Sequence, residues 1–79
     1  MAVDPNSLSV GRCYVTASGQ VRRVTDITMT GRVDYEARGS RKVDKWHRGA
    51  TQSNLPSLAR FAGDVDREVK CSYHPDYLG

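Results

Sequence analysis

The chain contains no run of about twenty apolar residues, which excludes a membrane-spanning helix. It has no basic-then-apolar leader, so no secretory signal is expected. Its only cysteines are Cys13 and Cys71, too few for a disulfide scaffold, and the expected setting is a reducing, cytoplasmic one. No glycine-rich loop opens a helix: Gly11, Gly19, Gly31 and Gly39 stand singly, which argues against a phosphate cradle. Ser18 lies beside Gly19 but lacks the flanking pattern of a nucleophile elbow.

The remaining catalytic options are equally thin. A cysteine with a histidine base would need His47 or His74 beside Cys13 or Cys71, and nothing local places them there. Cys71-x-x-His74 with Cys13 and His47 could form a Cys₂His₂ zinc site, but only one short ligand pair has recognisable spacing. A Cys13–Cys71 bridge is sterically open, yet a reducing setting favours two thiols. Asp64 and Glu68 stand one turn apart on an expected helix, with Arg60 and Arg67 as counter-ions on a solvated face. The chain is therefore expected to be no enzyme and to hold neither metal nor cofactor.

What is there is a single small domain of 79 residues with 38% hydrophobic and 27% charged content, a globular composition. A core this thin makes a monomer or weak homodimer the expectation. Net charge is +3, and its distribution is uneven. Residues 1–50 hold nine cations against five acids; residues 51–79 hold three against four. Asp4-Pro5-Asn6-Ser7 is what two adjacent cloning sites encode in frame, so residues 1–7 are read as a cloning-derived or disordered leader outside the fold.

Within 8–79 the strands are expected over residues 10–37. Val10–Thr16 alternates, with Cys13 and Val15 on one side and Arg12, Tyr14 and Thr16 on the other. A turn at 17–20 uses Gly19 at positive φ. In Val21–Thr28 a bulge near Arg22-Arg23 would bring Val21, Val24 and Ile27 to one face. Met29-Thr30-Gly31 closes a second hairpin. Arg32–Ala37 places Val33, Tyr35 and Ala37 inward and Arg32, Asp34 and Glu36 outward. A basic loop over 38–51 follows, with a short strand near Val43–Trp46.

Next comes an amphipathic helix over 54–70, capped by Ser53 or Asn54, and a tail over 71–79. Its apolar stripe is Leu55, Leu58, Phe61, Ala62, Val65 and Val69, with Arg60–Asp64 and Asp66–Lys70 pairs. The fold class is α+β: a small, curved antiparallel sheet of three to five strands packed on one C-terminal helix. The expected core is Val15, Val24, Ile27, Val33, Tyr35, Leu55, Leu58, Phe61, Ala62, Val65 and Val69.

The run Arg38–Arg48, RGSRKVDKWHR, concentrates five cations, one acid, one histidine and the only tryptophan in eleven residues. Basic charge interleaved with an aromatic suits a polyanion or an acidic protein surface. The candidate partner-binding residues are Arg22, Arg23, Arg32, Arg38, Arg41, Lys42, Lys45, Trp46, His47 and Arg48. With nucleic acid the arginines would meet phosphates while Trp46 and His47 stack on bases, with Tyr14 on the same outer face. With a protein the loop would grip an acidic groove, Trp46 acting as anchor. The alternative use of these arginines is to solubilise the sheet by pairing with Asp26, Asp34 and Glu36, with Trp46 folded over the helix–sheet junction.

The stretch GRCYVTASGQVRRVTDITMTGRVDYEARG, Gly11–Gly39, resembles the opening of small SH3-like barrel proteins: strand, glycine turn, a VRRV-type strand, and a third strand carrying an aromatic. The part from Trp46 to Val69, with LARFAGDVDREV, is similar to the helical end of small proteins of bacterial and phage genomes. This resemblance implies a phage or mobile-element protein of anti-CRISPR type. Such a protein is a compact, non-enzymatic inhibitor that binds a host nucleoprotein complex, such as a CRISPR surveillance complex, and blocks its DNA binding. Many such inhibitors are acidic DNA mimics, whereas this chain is basic and would bind acidic protein surface or guide RNA. The resemblance assigns no site residue. Direct DNA or RNA binding by the same patch is the alternative, and no membrane partner is expected.

Overall fold

The computed structural model describes residues 3–39, 45–51 and 53–73. Five strands form one antiparallel sheet: β1 (Cys13–Thr16), β2 (Val21–Ile27), β3 (Val33–Arg38), β4 (His47–Arg48) and β5 (Val65–Val69). A helix, α1 (Leu58–Asp64), lies between β4 and β5 in the chain. The sheet is not closed, and its order is β4-β3-β2-β1-β5. The α+β class with one helix near the C-terminus is therefore as expected.

The first three strands follow local sequence. Gly19 (φ 93°) and Gly31 (φ 78°) occupy the left-handed region at the two hairpin turns, where a side chain would be strained. Thr28 N–H donates to the Arg32 carbonyl at 2.8 Å, closing the second hairpin. Val33, Tyr35 and Ala37 are buried on one face of β3. The bulge in β2 falls at Thr25, between Val24 and Asp26, rather than at Arg22-Arg23. It sets Val24 and Ile27 against one core while Val21 faces the other.

The helix is shorter than its apolar stripe. It ends at Asp64, and Val65 is already extended (φ −106°, ψ 154°). Gly63 weakens the last turn by about 1 kcal/mol, and β-branched Val65 and Val69 favour an extended chain. Val65–Val69 instead pairs antiparallel with β1, covering an edge that would otherwise carry unpaired backbone groups. The pair expected between Asp66 and Lys70 on a helix is thus replaced by strand geometry. The Arg60–Asp64 pair does form, at 3.4 Å. The cap is Ser57, whose Oγ accepts from Arg60 N–H at 3.1 Å, not Ser53 or Asn54. A short strand is present at His47–Arg48; of the one expected at Val43–Trp46, Lys45 and Trp46 are not in a strand, and Val43 and Asp44 lie outside the described residues. The first strand starts at Cys13, with Val10 exposed.

A buried hydrophobic cluster lies on each face of the sheet. On the first face, α1 packs Phe61 and Ala62 against Leu8, Tyr14, Val24, Val33, Tyr35, Ala37 and Val65. Phe61 meets the Tyr14 and Tyr35 rings edge-on, at centroid distances of 6.0 and 5.0 Å. Tyr14 is therefore core, not an outer-face stacking residue. Residues expected to form a leader contribute here. Asp4 caps a 3-10 turn at Pro5–Ser7, Val3 packs against the cluster, and Leu8 is buried.

The second face holds Cys13, Val15 and Val21, covered by Trp46, Val69, Cys71 and Tyr73. Val15 is thus core of this second cluster. Leu55, Leu58, Ile27 and Val69 are only half-buried. Cys13 and Cys71 form a disulfide, 58 residues apart in sequence. This corrects the expectation of two thiols: β5 runs antiparallel to β1 and sets Val69 opposite Cys13, and the turn after it returns Cys71 to the same place. No helix among the described residues is long and apolar enough to cross a membrane.

Candidate binding surface

The predicted basic patch is divided by the sheet. Along β2, side chains alternate in direction, so Arg22 and Arg23 project from opposite faces. Arg22 lies on the α1 face, with its guanidinium carbon 5.0 Å from the Tyr35 centroid and 5.9 Å from that of Phe61. Its Nε donates to Gln20 Oε1 at 2.8 Å, and Nη1 stands 3.9 Å from Asp64. Arg23 lies on the second face, paired with Glu36 at 3.1 Å.

Trp46 is half-buried over this second face. It does not cover the helix–sheet junction, because α1 is on the other side. Arg23 and Arg38 lie 4.4 and 5.0 Å from its ring centroid, so the indole is held by two cation–π contacts as well as by the Cys13–Val15–Val21 cluster.

Arg38 is not a surface cation. It is only 2% exposed. Its guanidinium donates to the carbonyl oxygens of Gly39 at 3.3 Å, Cys71 at 2.9 Å, and Tyr73. A planar fork with five donors suits a set of converging carbonyls. Arg38 therefore fastens the segment after β5 to the sheet.

Arg48 donates from Nε to the Ala50 carbonyl at 2.7 Å and from Nη2 to Asp34 at 2.9 Å. Lys45 and His47 are exposed, and His47 Nδ1 lies 3.2 Å from the Arg48 carbonyl. Arg32 sits far from Trp46, at the second hairpin, where its Nη1 donates to the Leu55 carbonyl at 3.3 Å. Arg41 and Lys42 lie outside the described residues.

Trp46, Arg23, Glu36, Asp34 and Arg48 thus form a mixed-charge surface around β4. Exposed ion pairs of this kind contribute about 0–1 kcal/mol each to stability. Their effect on recognition is larger, because a phosphate at Arg23 or Arg48 must displace Glu36 or Asp34. Sequence alone could suggest these cross-strand pairs but not separate Arg22 from Arg23 with the bulge misplaced. The roles of Arg38 and Cys71 left no local signal, since both depend on the path of a segment more than thirty residues away.

The disulfide occupies both cysteines, so neither offers a thiolate to a metal or substrate, and His74 lies outside the described residues. Compared with known proteins, no family model matches the chain, and neither a curated protein nor a solved structure matches it.

Proposed function

We propose that this chain is a non-enzymatic protein-binding module with an SH3-like sheet. It acts as an inhibitor of phage or mobile-element type on a host nucleoprotein complex in the bacterial cytoplasm, in the manner of an anti-CRISPR protein. The contact surface is the β4 edge: Lys45, Trp46, His47 and Arg48, with Arg41 and Lys42, which precede it in the chain. The observation that carries a protein rather than a nucleic-acid partner is the pairing of Arg23 with Glu36 and Arg48 with Asp34. A surface with alternating charge around one indole matches the composition of protein interfaces, where Trp and Arg dominate the binding energy. A bare polyanion would favour unpaired cations. The SH3-like reading is supported by the meander β1–β2–β3–β4 whose fifth strand returns to β1.

The test has two arms. Expression in a CRISPR-immune bacterium should restore phage plating, and Trp46→Ala with Lys45→Glu should abolish that effect while the fold is retained. Labelled DNA and RNA should show no salt-sensitive anisotropy change. Micromolar binding that weakens steeply with salt, and is lost in Lys42→Glu with Lys45→Glu, would replace this reading with direct nucleic-acid recognition.

A further inference from the structure

A groove of about 510 Å³ opens on the α1 side, beginning where β4 ends. This lies within the range of about 300–1,000 Å³ usual for ligand clefts. Gly49 and Ala50 form one wall, the segment through Leu55 and Pro56 the other, and Arg32 and Arg60 stand along it. The geometry points to this groove as the receptor for an extended acidic segment of a partner protein, whose carboxylates meet Arg32 and Arg60 while its apolar side chains lie on Leu55 and Pro56. The inference rests on the protein-binding reading above and adds the kind of partner segment it takes.

Charge is the first argument. Among the described residues the groove's one carboxylate, Asp64, is already shared by Arg60 at 3.4 Å and Arg22 at 3.9 Å. Arg32 has no carboxylate partner among the described residues; its guanidinium donates to the Leu55 carbonyl. Two guanidinium groups, Arg32 and Arg60, therefore line the groove with one acid, and that acid is also approached by Arg22 from outside it. An arginine held at one Nη by a carbonyl is oriented but not neutralised, and a carboxylate is the ligand its remaining donors fit.

Floor chemistry is the second. Tyr35 lines the groove but offers no free ring face. Arg22 lies 5.0 Å from its centroid, Phe61 packs edge-on at 5.0 Å, and Gly49 abuts the ring. Nucleobases need an open aromatic platform, and this groove supplies none. Aliphatic side chains need only the apolar wall that Leu55 and Pro56 provide. The groove also continues from the β4 contact surface, so one partner segment can leave the Trp46 face and enter it around the sheet edge.

The experiment titrates the oxidised protein with a short fluorescein-labelled peptide alternating Glu and Leu. The comparison probes are the same peptide with Gln for Glu, and oligo(dT). Saturable binding of the Glu peptide is expected, weakened about tenfold by Arg32→Gln and also by Arg60→Gln, and unchanged by Arg12→Gln, which lies outside the groove and pairs with Glu68 of β5. Amide shifts should localise to Gly49, Ala50 and Leu55. Equal binding of the Glu and Gln peptides, binding unaffected in both groove variants, or binding of oligo(dT) alone would overturn the proposal. In the plating assay, loss with Trp46→Ala but not with Arg32→Gln would remove the groove alone, whereas loss with neither would remove the reading on which it rests.

Discussion

The Arg38 guanidinium lies 5.0 Å from the Trp46 ring centroid while it donates to the carbonyl oxygens of Cys71 and Tyr73. One buried cation thus joins the candidate anchor residue to the segment that carries the disulfide. Removing it leaves carbonyls unsatisfied and takes a cationic neighbour from the indole. Arg38→Ala is expected to cost about 3 kcal/mol, the range for lost charge-assisted bonds with buried groups left unpaired. Arg38→Lys should recover only part of this, because an ammonium cannot span carbonyls as a planar fork does. Urea midpoints measure the loss, and a red shift of Trp46 emission reports release of the indole.

Reducing the Cys13–Cys71 bond is expected to lower stability by about 2–4 kcal/mol, given the long loop it closes. Cys71→Ser should reproduce the effect without reductant. Protein reduced and then alkylated should carry two modified thiols. Protein alkylated without reduction should carry none. Intact mass reads both states.

Gly49→Ala is expected to destabilise by about 2–3 kcal/mol, the range for overpacking. An added Cβ would overlap the Tyr35 ring, which Arg22 and Phe61 prevent from retreating. The backbone bond from Gly49 N–H to the Tyr35 carbonyl, 3.0 Å, should weaken with it. Faster hydrogen exchange at Gly49 and at Arg48, relative to Val24, would show that β4 has detached.

Burial raises the pKa of the Tyr14 phenol above its ordinary value, against the smaller opposing effect of the Ser9 N–H that donates to it. Ionisation is therefore easier in the unfolded chain. Stability from this source is complete below about pH 10, the ordinary tyrosine value, and declines as pH climbs from there toward the folded pKa. Tyr14→Phe should cost about 1 kcal/mol or less at neutral pH, for the loss of one long bond, and should flatten the decline in Tm above pH 10. A Tm that falls equally in both proteins would assign the alkaline limb to other groups.

How far the fold was legible depends on which residues carry local signals. Val33, Tyr35 and Ala37 alternate with charged neighbours, and their burial follows directly. Gly19 and Gly31 mark their turns because each requires a positive φ. Val65 and Val69 satisfy both helical and strand periodicity, so the local pattern could not decide between them. The open edge of β1 decided it. Tyr14 reads from strand alternation as an outer-face aromatic, and it becomes core only when α1 is placed over it by the Phe61 contact.

The sequence by itself determined the α+β class, the three-strand meander with its glycine turns, and the concentration of cations before residue 50. These depend on neighbours a few positions apart, through steric limits on φ and through alternation along a strand. Only the tertiary structure decided that β5 exists, that Cys13 meets Cys71, and that Arg38 is buried. It likewise sorted the arginines, setting Arg22 over the Tyr35 ring, Arg23 and Arg48 beside carboxylates, and Arg32 without one among the described residues. Charge is a property of composition, but its availability to a partner depends on which acids the fold brings within reach.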